Sequence, residues 1–396
     1  MVSTDLVTGA DGVDHGGPMD PGEIVADAVR RGVVPGAVLA YGRGVEAPVR
    51  VAAFGAGVTA DTRYDLASLT KVTATLPSVL RLVEAGEIGL DDPVARYLPA
   101  FGRDTDVPIT IRHLLAHSSG LPAILEVWRL AGSADDRFAA VLAEPSVAPP
   151  GTVVKYSDLG FMMLGRIVAD VVGKPLQDAF AELVAAPLGM TATGHLPAAV
   201  PGVVFAATEA NWFDDPGRER QDAKSGVVHD ENAESFGGVA GHAGLFGTAA
   251  DLAAYLRAGW LAEDSPILSP GIRAEALRCQ TEGLDGRRGL GWTLRGDSFD
   301  FMSDRWPLSG AAHSGFTGTS VAFDPASQIW CVLLTNAVLF GRDNRARQLR
   351  RSLHAAVADE FGDEFDDEHG DVRKDGSISF PDAGDDNTER GFRITA

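Results

Sequence analysis

The chain predicts a mixed α/β (α+β) fold, with one antiparallel sheet built from both chain ends and a mainly helical stretch between them. Three observations carry this expectation. Short β-rich segments lie near both ends, at 37–41, 49–54, 320–323 and 329–334; their length, apolar content and flanking turn residues are those of strands. From about residue 105 to 290 apolar residues recur at helical spacing, interrupted by Pro- and Gly-rich loops. Helical patterns also open and close the folded part, so the first and last helices should cover one face of the sheet.

Taken in order, residues 1–19 are rich in Gly and Asp and read as a flexible arm. Pro21 to about Gly32 reads as a helix that starts on proline and stops at glycine. Residues 37–41 and 49–54 form a hairpin. A second helix begins at Ser68-Leu69-Thr70-Lys71 and continues with Val72, Leu76, Val79, Leu80 and Val83 at spacings of three and four. Thr110 caps a short helix carrying His113 and His117. Tyr156-Ser157-Asp158 follows the turn Pro149-Pro150-Gly151 and opens a helix through Leu159, Phe161, Leu164, Ile167 and Val171. His313-Ser314-Gly315-Phe316 leads into a strand pair turned at Asp324-Pro325. An amphipathic helix with Leu349, Leu353, Ala356 and Val357 closes the body. The division that follows is an α/β part at 20–104 and 291–358, a helical part at 105–290, and an acidic, disordered tail at 359–396. Truncation after Phe361 should therefore spare catalysis.

A chain of 396 residues can bury a large core. Its formal net charge of −21 excludes nucleic acid, which needs a basic face, and disfavours anionic membranes. The start of the chain lacks a basic region followed by an apolar run, so no signal peptide is read and a cytoplasmic protein is expected. Cys279 and Cys331 have no zinc or redox spacing and read as small core residues. The composition does not set the oligomeric state.

Chemistry first shows at Ser68 and Lys71. Residues three apart share one side of a helix, and a long side chain leans toward the N-terminus, so Lys71 can reach the Ser68 hydroxyl. In the first helical turn, free N–H groups can hold an oxyanion. The pair also fits a plain capped helix with a snorkelling lysine. A Tyr hydroxyl near a cationic lysine can relay a proton, which adds Tyr156. A Gly-flanked strand edge lets substrate backbone approach closely, which adds Ser314 and Gly315.

These three segments, in this order, resemble the signature of the serine β-lactamase and penicillin-binding protein superfamily, in the branch near class C β-lactamases and their esterase, amidase and transacylase relatives. Asp158 stands where the pattern usually has Asn, and His313 where it has Lys. Residues 110–122 and 241–248 are family-like too, and the resemblance covers roughly 20–358. It implies a five-stranded antiparallel sheet flanked by helices, an inserted all-α region, and an active site between them. It also implies the roles. Ser68 is the nucleophile, and Lys71 with Tyr156 moves its proton. Asp158 holds Lys71 and favours its charged form. His313 binds a substrate carboxylate when charged or hydrogen-bonds Tyr156 when neutral. The N–H groups of Ser68 and Phe316 form the oxyanion hole.

The expected protein is a serine hydrolase that forms an acyl-enzyme and cleaves an ester or amide of a small molecule or muropeptide. The segment from Leu334 to Asn344 resembles the muropeptide amidase branch. An acyltransferase of secondary metabolism, a β-lactamase or D-alanyl-D-alanine carboxypeptidase, and a non-catalytic acylated sensor are the alternatives. No cofactor and no metal are expected. His229, Asp230, Glu231 and His242 fit no zinc spacing and are read as lining the pocket mouth or tying a loop. Lys224-Ser225-Gly226 mimics the third segment in letters but lies in a polar stretch with no strand pair after it, so Lys224 is read as a solvated loop lysine.

Overall fold

The computed structural model describes residues 19–102, 107–197, 201–209, 223–343 and 345–362. The N-terminal arm, most of the acidic tail and Asn344 lie outside the described residues. Helix α1 (Pro21–Arg30) starts on Asp20, whose carboxylate accepts from the Gly22 and Glu23 N–H groups. Strands β1 (Ala37–Arg43) and β2 (Arg50–Phe54) form the expected hairpin. The sheet is completed from the other end of the chain by β3 (Thr293–Leu294), β4 (Ala311–Ser314), β5 (Ser320–Phe323) and β6 (Ile329–Thr335). The order is β2-β1-β6-β5-β4-β3, and every neighbouring pair is antiparallel. That makes six strands rather than five; the extra one is the two-residue edge strand β3, too short to leave a periodic signal.

Both faces of this sheet are covered, and β1 shows how. Val38 and Ala40 face the larger core, while Ala37, Leu39 and Tyr41 face the layer of α1 and the last helix, α4 (Ala346–Phe361). Successive strand residues point to opposite faces, so a run that is apolar throughout serves two layers. Leu349, Leu353, Ala356 and Val357 of α4 are all buried. The last helix runs to Phe361, slightly past the 359 boundary set by charge alone.

The middle of the chain is mainly helical but not wholly so. Tyr64–Asp65, Leu245–Gly247 and Gly194–His195 form a second, three-stranded antiparallel sheet. It fastens the middle segment to the residues just before Ser68, with the Leu66 N–H donating to Leu245 O at 2.9 Å. The Ser68 helix starts with a π-helical turn over Lys71–Thr75 and continues as α2 (Leu76–Glu84). Pro77 leaves a gap in the hydrogen-bond ladder of this turn. In the π register the Val72 carbonyl would bond the N–H of residue 77, and proline has none. The buried Tyr255 hydroxyl donates to that carbonyl instead. Cys331 is fully buried in β6, and Cys279 is only partly buried; both are free thiols. Among the described residues no helix is long and apolar enough to cross a membrane.

Candidate active site

Ser68 sits at a tight corner between the small sheet and the helix that follows it. Ala67 before it has φ of +48°, a left-handed conformation unusual for a residue with a Cβ. The buried Asp65 carboxylate holds that corner, accepting from Ala67 N at 2.8 Å and from His229 N at 2.6 Å. Burial nevertheless raises the Asp65 pKa, with these two N–H donors pulling the other way.

The segment after β4 is fastened to the same corner. The Thr317 hydroxyl donates to Asp65 O at 2.7 Å and the Thr319 hydroxyl to Leu66 O at 3.1 Å. Gly315 is required at this crossing, because a Cβ there would lie 2.5 Å from Leu66 O and 3.2 Å from the Ala67 Cβ. Neither the Ser68 nor the Phe316 backbone N–H has a hydrogen-bond partner among the described residues. Two such donors at one corner are what an oxyanion needs. The Phe316 side chain is 55% exposed at the site.

Lys71 is fully buried. Its Nζ donates to Ser68 Oγ at 3.0 Å and to His242 O at 3.1 Å, and it forms an ion pair with Asp158 Oδ1 at 2.7 Å. Burial opposes its charge, but the Asp158 carboxylate and Tyr156 outweigh that and hold Lys71 above its usual range. It is therefore a cation at rest. The Lys71 ammonium also sits 4.9 Å from the centre of the Tyr156 ring. The Tyr156 phenol interacts electrostatically with both Lys71 and Ser68; burial raises its pKa, and only part of that is offset by the Lys71 charge. Serine, lysine, tyrosine and aspartate thus form one connected cluster, with both potential bases protonated at neutral pH.

Residues 117–123 build the wall behind Tyr156. The Lys155 N–H donates to His117 O, the Asp158 N–H to Ala123 O, and the Ser157 hydroxyl to Pro122 O at 2.6 Å. His117 is not on the short helix, as its spacing suggests. That helix, α3 (Ile111–Leu115), ends before His117, which follows in a left-handed conformation at φ +55°. Its ring lies 4.5 Å from that of Tyr156, and its Nδ1 accepts from Ser157 N. Burial keeps it neutral, with Arg288 and Lys71 adding to the effect. His113 stays where expected, in a capping box with Thr110.

His313 comes from β4, its ring 6.0 Å from the Tyr156 ring on centroids. Burial, then the Lys71 and Arg288 charges, push its pKa well below the ordinary value. A neutral imidazole here argues against the charged, carboxylate-binding role. Its Nδ1 bonds the Ser314 carbonyl at 3.0 Å, and its buried Nε2 has no partner among the described residues; a hydrogen bond to Tyr156 is not made. Lys224 lies in a loop, as expected, but is partly shielded and paired with Glu234 at 2.9 Å.

The other polar cluster ties loops together around the same site. His242 Nε2 lies 3.0 Å from Asp230 Oδ1, and His229 Nε2 lies 3.1 Å from Glu209. The His229 ring stacks on Phe316, with centroids 5.8 Å apart. Arg342 pairs with both Glu209 and Glu231. Among the described residues no group of three His, Cys, Asp or Glu side chains could hold a metal ion. Asp65 and the His242 carbonyl are the site groups that sequence reading missed. Backbone groups leave no letter to read, and Asp65 has no partner nearby in sequence apart from Ala67.

Comparison with known proteins gives four consistent findings. A family model described as Beta-lactamase matches residues 22–356. A putative D-alanyl-D-alanine carboxypeptidase of Escherichia coli K12 is 32% identical over 314 residues, covering 70% of each chain. An N-acetylmuramyl-L-alanine amidase of Bacillus subtilis 168 is 32% identical over 302 residues, covering 69% of this chain and 68% of its own. Among solved structures, EstCE1, a hydrolase with promiscuous acyltransferase activity, superposes with a TM-score of 0.66 at 25% identity, covering 85% of this chain and 97% of its own.

Proposed function

This chain belongs to the beta-lactamase family of serine hydrolases, and from that premise we propose that Ser68 forms an acyl-enzyme with an amide or ester of a muropeptide-like small molecule. The observation that carries the proposal is the buried Lys71 ammonium in simultaneous contact with Ser68 Oγ and Asp158. A plain capped helix has no use for a fully buried, ion-paired lysine beside its cap.

The chemistry follows from the contacts. Substrate places its carbonyl oxygen between the N–H groups of Ser68 and Phe316. The Ser68 proton passes to the Tyr156–Lys71 pair as its oxygen attacks the carbonyl carbon. The tetrahedral oxyanion is held by the two N–H groups. The C–N or C–O bond then breaks as Tyr156 returns a proton to the leaving group. Water repeats the sequence in reverse to free the acid. Because Lys71 and Tyr156 both carry protons at rest, the working state is the pair with one proton removed. The rate should therefore climb as pH rises from neutral into the alkaline range.

The muropeptide class is supported by two relatives above 30% identity whose names place them on D-alanyl-D-alanine or N-acetylmuramyl-L-alanine bonds. Transfer of the acyl group to an alcohol or amine is a second reading, favoured by the likeness to EstCE1. The deciding experiment is labelling with a fluorophosphonate, which phosphonylates an activated serine. Ser68→Ala should abolish labelling and lower kcat by at least about a thousandfold. Labelling of another serine with activity kept would overturn the reading. Mass analysis of a muropeptide digest then separates the substrates: loss of a terminal D-alanine, release of the whole peptide, or no change with only ester cleavage.

A further inference from the structure

Helix α4 sends one charged side chain into the interior, toward the oxyanion corner. Arg350 is 5% exposed. Its Nη2 donates to the Gly315 carbonyl at 3.2 Å and to the Thr319 carbonyl at 3.1 Å, and its guanidinium lies 5.6 Å from the centre of the Phe301 ring. No carboxylate pairs with it among the described residues. Burial, then the nearby Arg347 charge, lower its pKa to about 10, so it is still charged at neutral pH. A buried cation without an anion costs stability, and a hydrophobic side chain would fill the same space without that cost. Local rules are broken in this way mostly where function requires it.

The carbonyl it bonds identifies the function. Gly315 C=O and Phe316 N–H are the two ends of one planar peptide group, so fixing the oxygen fixes the direction of the N–H. A charged donor on the oxygen also draws electron density from the nitrogen and strengthens the N–H as a donor. The turn is otherwise held by Gly315 N donating to Thr319 O at 2.8 Å and Gly318 N donating to Gly315 O at 3.1 Å. Arg350 bonds both of those acceptor carbonyls and so locks the turn that carries Phe316.

We propose that Arg350 is a positioning residue for catalysis, which orients and polarises the Gly315–Phe316 peptide so that the Phe316 N–H stabilises the oxyanion. The proposal rests on Ser68 being the nucleophile. Arg350→Met keeps the length and removes the charge; Arg350→Gln keeps a donor without the charge; Arg350→Lys keeps the charge. In Arg350→Met we expect phosphonylation by a fluorophosphonate to slow by at least about tenfold, and the affinity for an alkylboronic acid, whose adduct mimics the oxyanion, to weaken in step. KM for a p-nitrophenyl ester should stay within about threefold, and Arg350→Lys should recover most of the loss. If Arg350→Met does not fold, Arg350→Gln is judged by the same criteria. Parental labelling rate and boronic acid affinity in the neutral variant would overturn the proposal, whatever happens to its melting temperature. Failure of the Ser68 reading looks different, since the unaltered protein would then not be labelled at Ser68.

Discussion

At the scale of single residues, Asp158 sets the proton inventory of the site. Its carboxylate supports the charge on Lys71 and raises the Tyr156 pKa as well. The sign of its removal is therefore fixed: in Asp158→Asn both groups lose protons at lower pH. The rising limb of kcat/KM against pH should move toward acid, so the variant reaches a larger share of its own plateau at pH 7. A limb that stays in place would show that Asp158 is not coupled to the base. His313→Ala should cut kcat/KM, whereas Lys224→Ala should leave it within about threefold, since Lys224 is occupied by Glu234 in a loop. The reverse pattern in steady-state ester hydrolysis would move the third segment to 224–226.

At the scale of elements, what matters is how closely backbones cross. Gly315→Ala puts a methyl group against Leu66 O and Ala67. It should lower kcat/KM by at least about a hundredfold through loss of the oxyanion geometry, read as slower phosphonylation of Ser68. Tyr255→Phe removes the donor that replaces the missing Pro77 N–H, and the orphaned buried carbonyl should cost about 1–3 kcal/mol in urea unfolding. These crossings also explain what was legible. The strands at 311–335 and the helices at 21–30 and 346–361 follow from periodicity and turn residues, and Ser68, Lys71, Tyr156 and His313 from spacing and order. The small sheet was not legible, because its strands of two or three residues are too short to show alternation and its pairing joins residues 64–65 to 245–247. The place of His117 was lost because two histidines at i and i+4 imitate a helical face, while the chain has already left the helix. The role of Arg350 was hidden among the half-buried arginines of an amphipathic pattern.

At the scale of the whole molecule, buried histidines link stability to acid. His195 and His354 are lowered by burial to about 4 and about 3, and His117 and His313 lie well below the ordinary value. A folded pKa below the unfolded one means that the unfolded chain gains protons first as pH falls. Stability is then intact above about pH 6.5 and declines below it. Going from pH 7 to 5.5 should cost about 1 kcal/mol per histidine, visible in chemical denaturation, and His354→Leu should remove roughly a quarter of that slope. A flat profile over that range would contradict the buried, neutral assignment. The sheet order has a consequence for biosynthesis. β1 pairs with β2 early, but its other edge waits for β6, with Ala37 opposite Thr335. At about 5–20 residues per second the ribosome exposes that edge for many seconds before its partner emerges. The body should therefore stay protease-sensitive on stalled ribosomes until the chain has passed Thr335, and only then close as a unit, making the nascent enzyme a natural client for chaperones that shield unpaired strand edges.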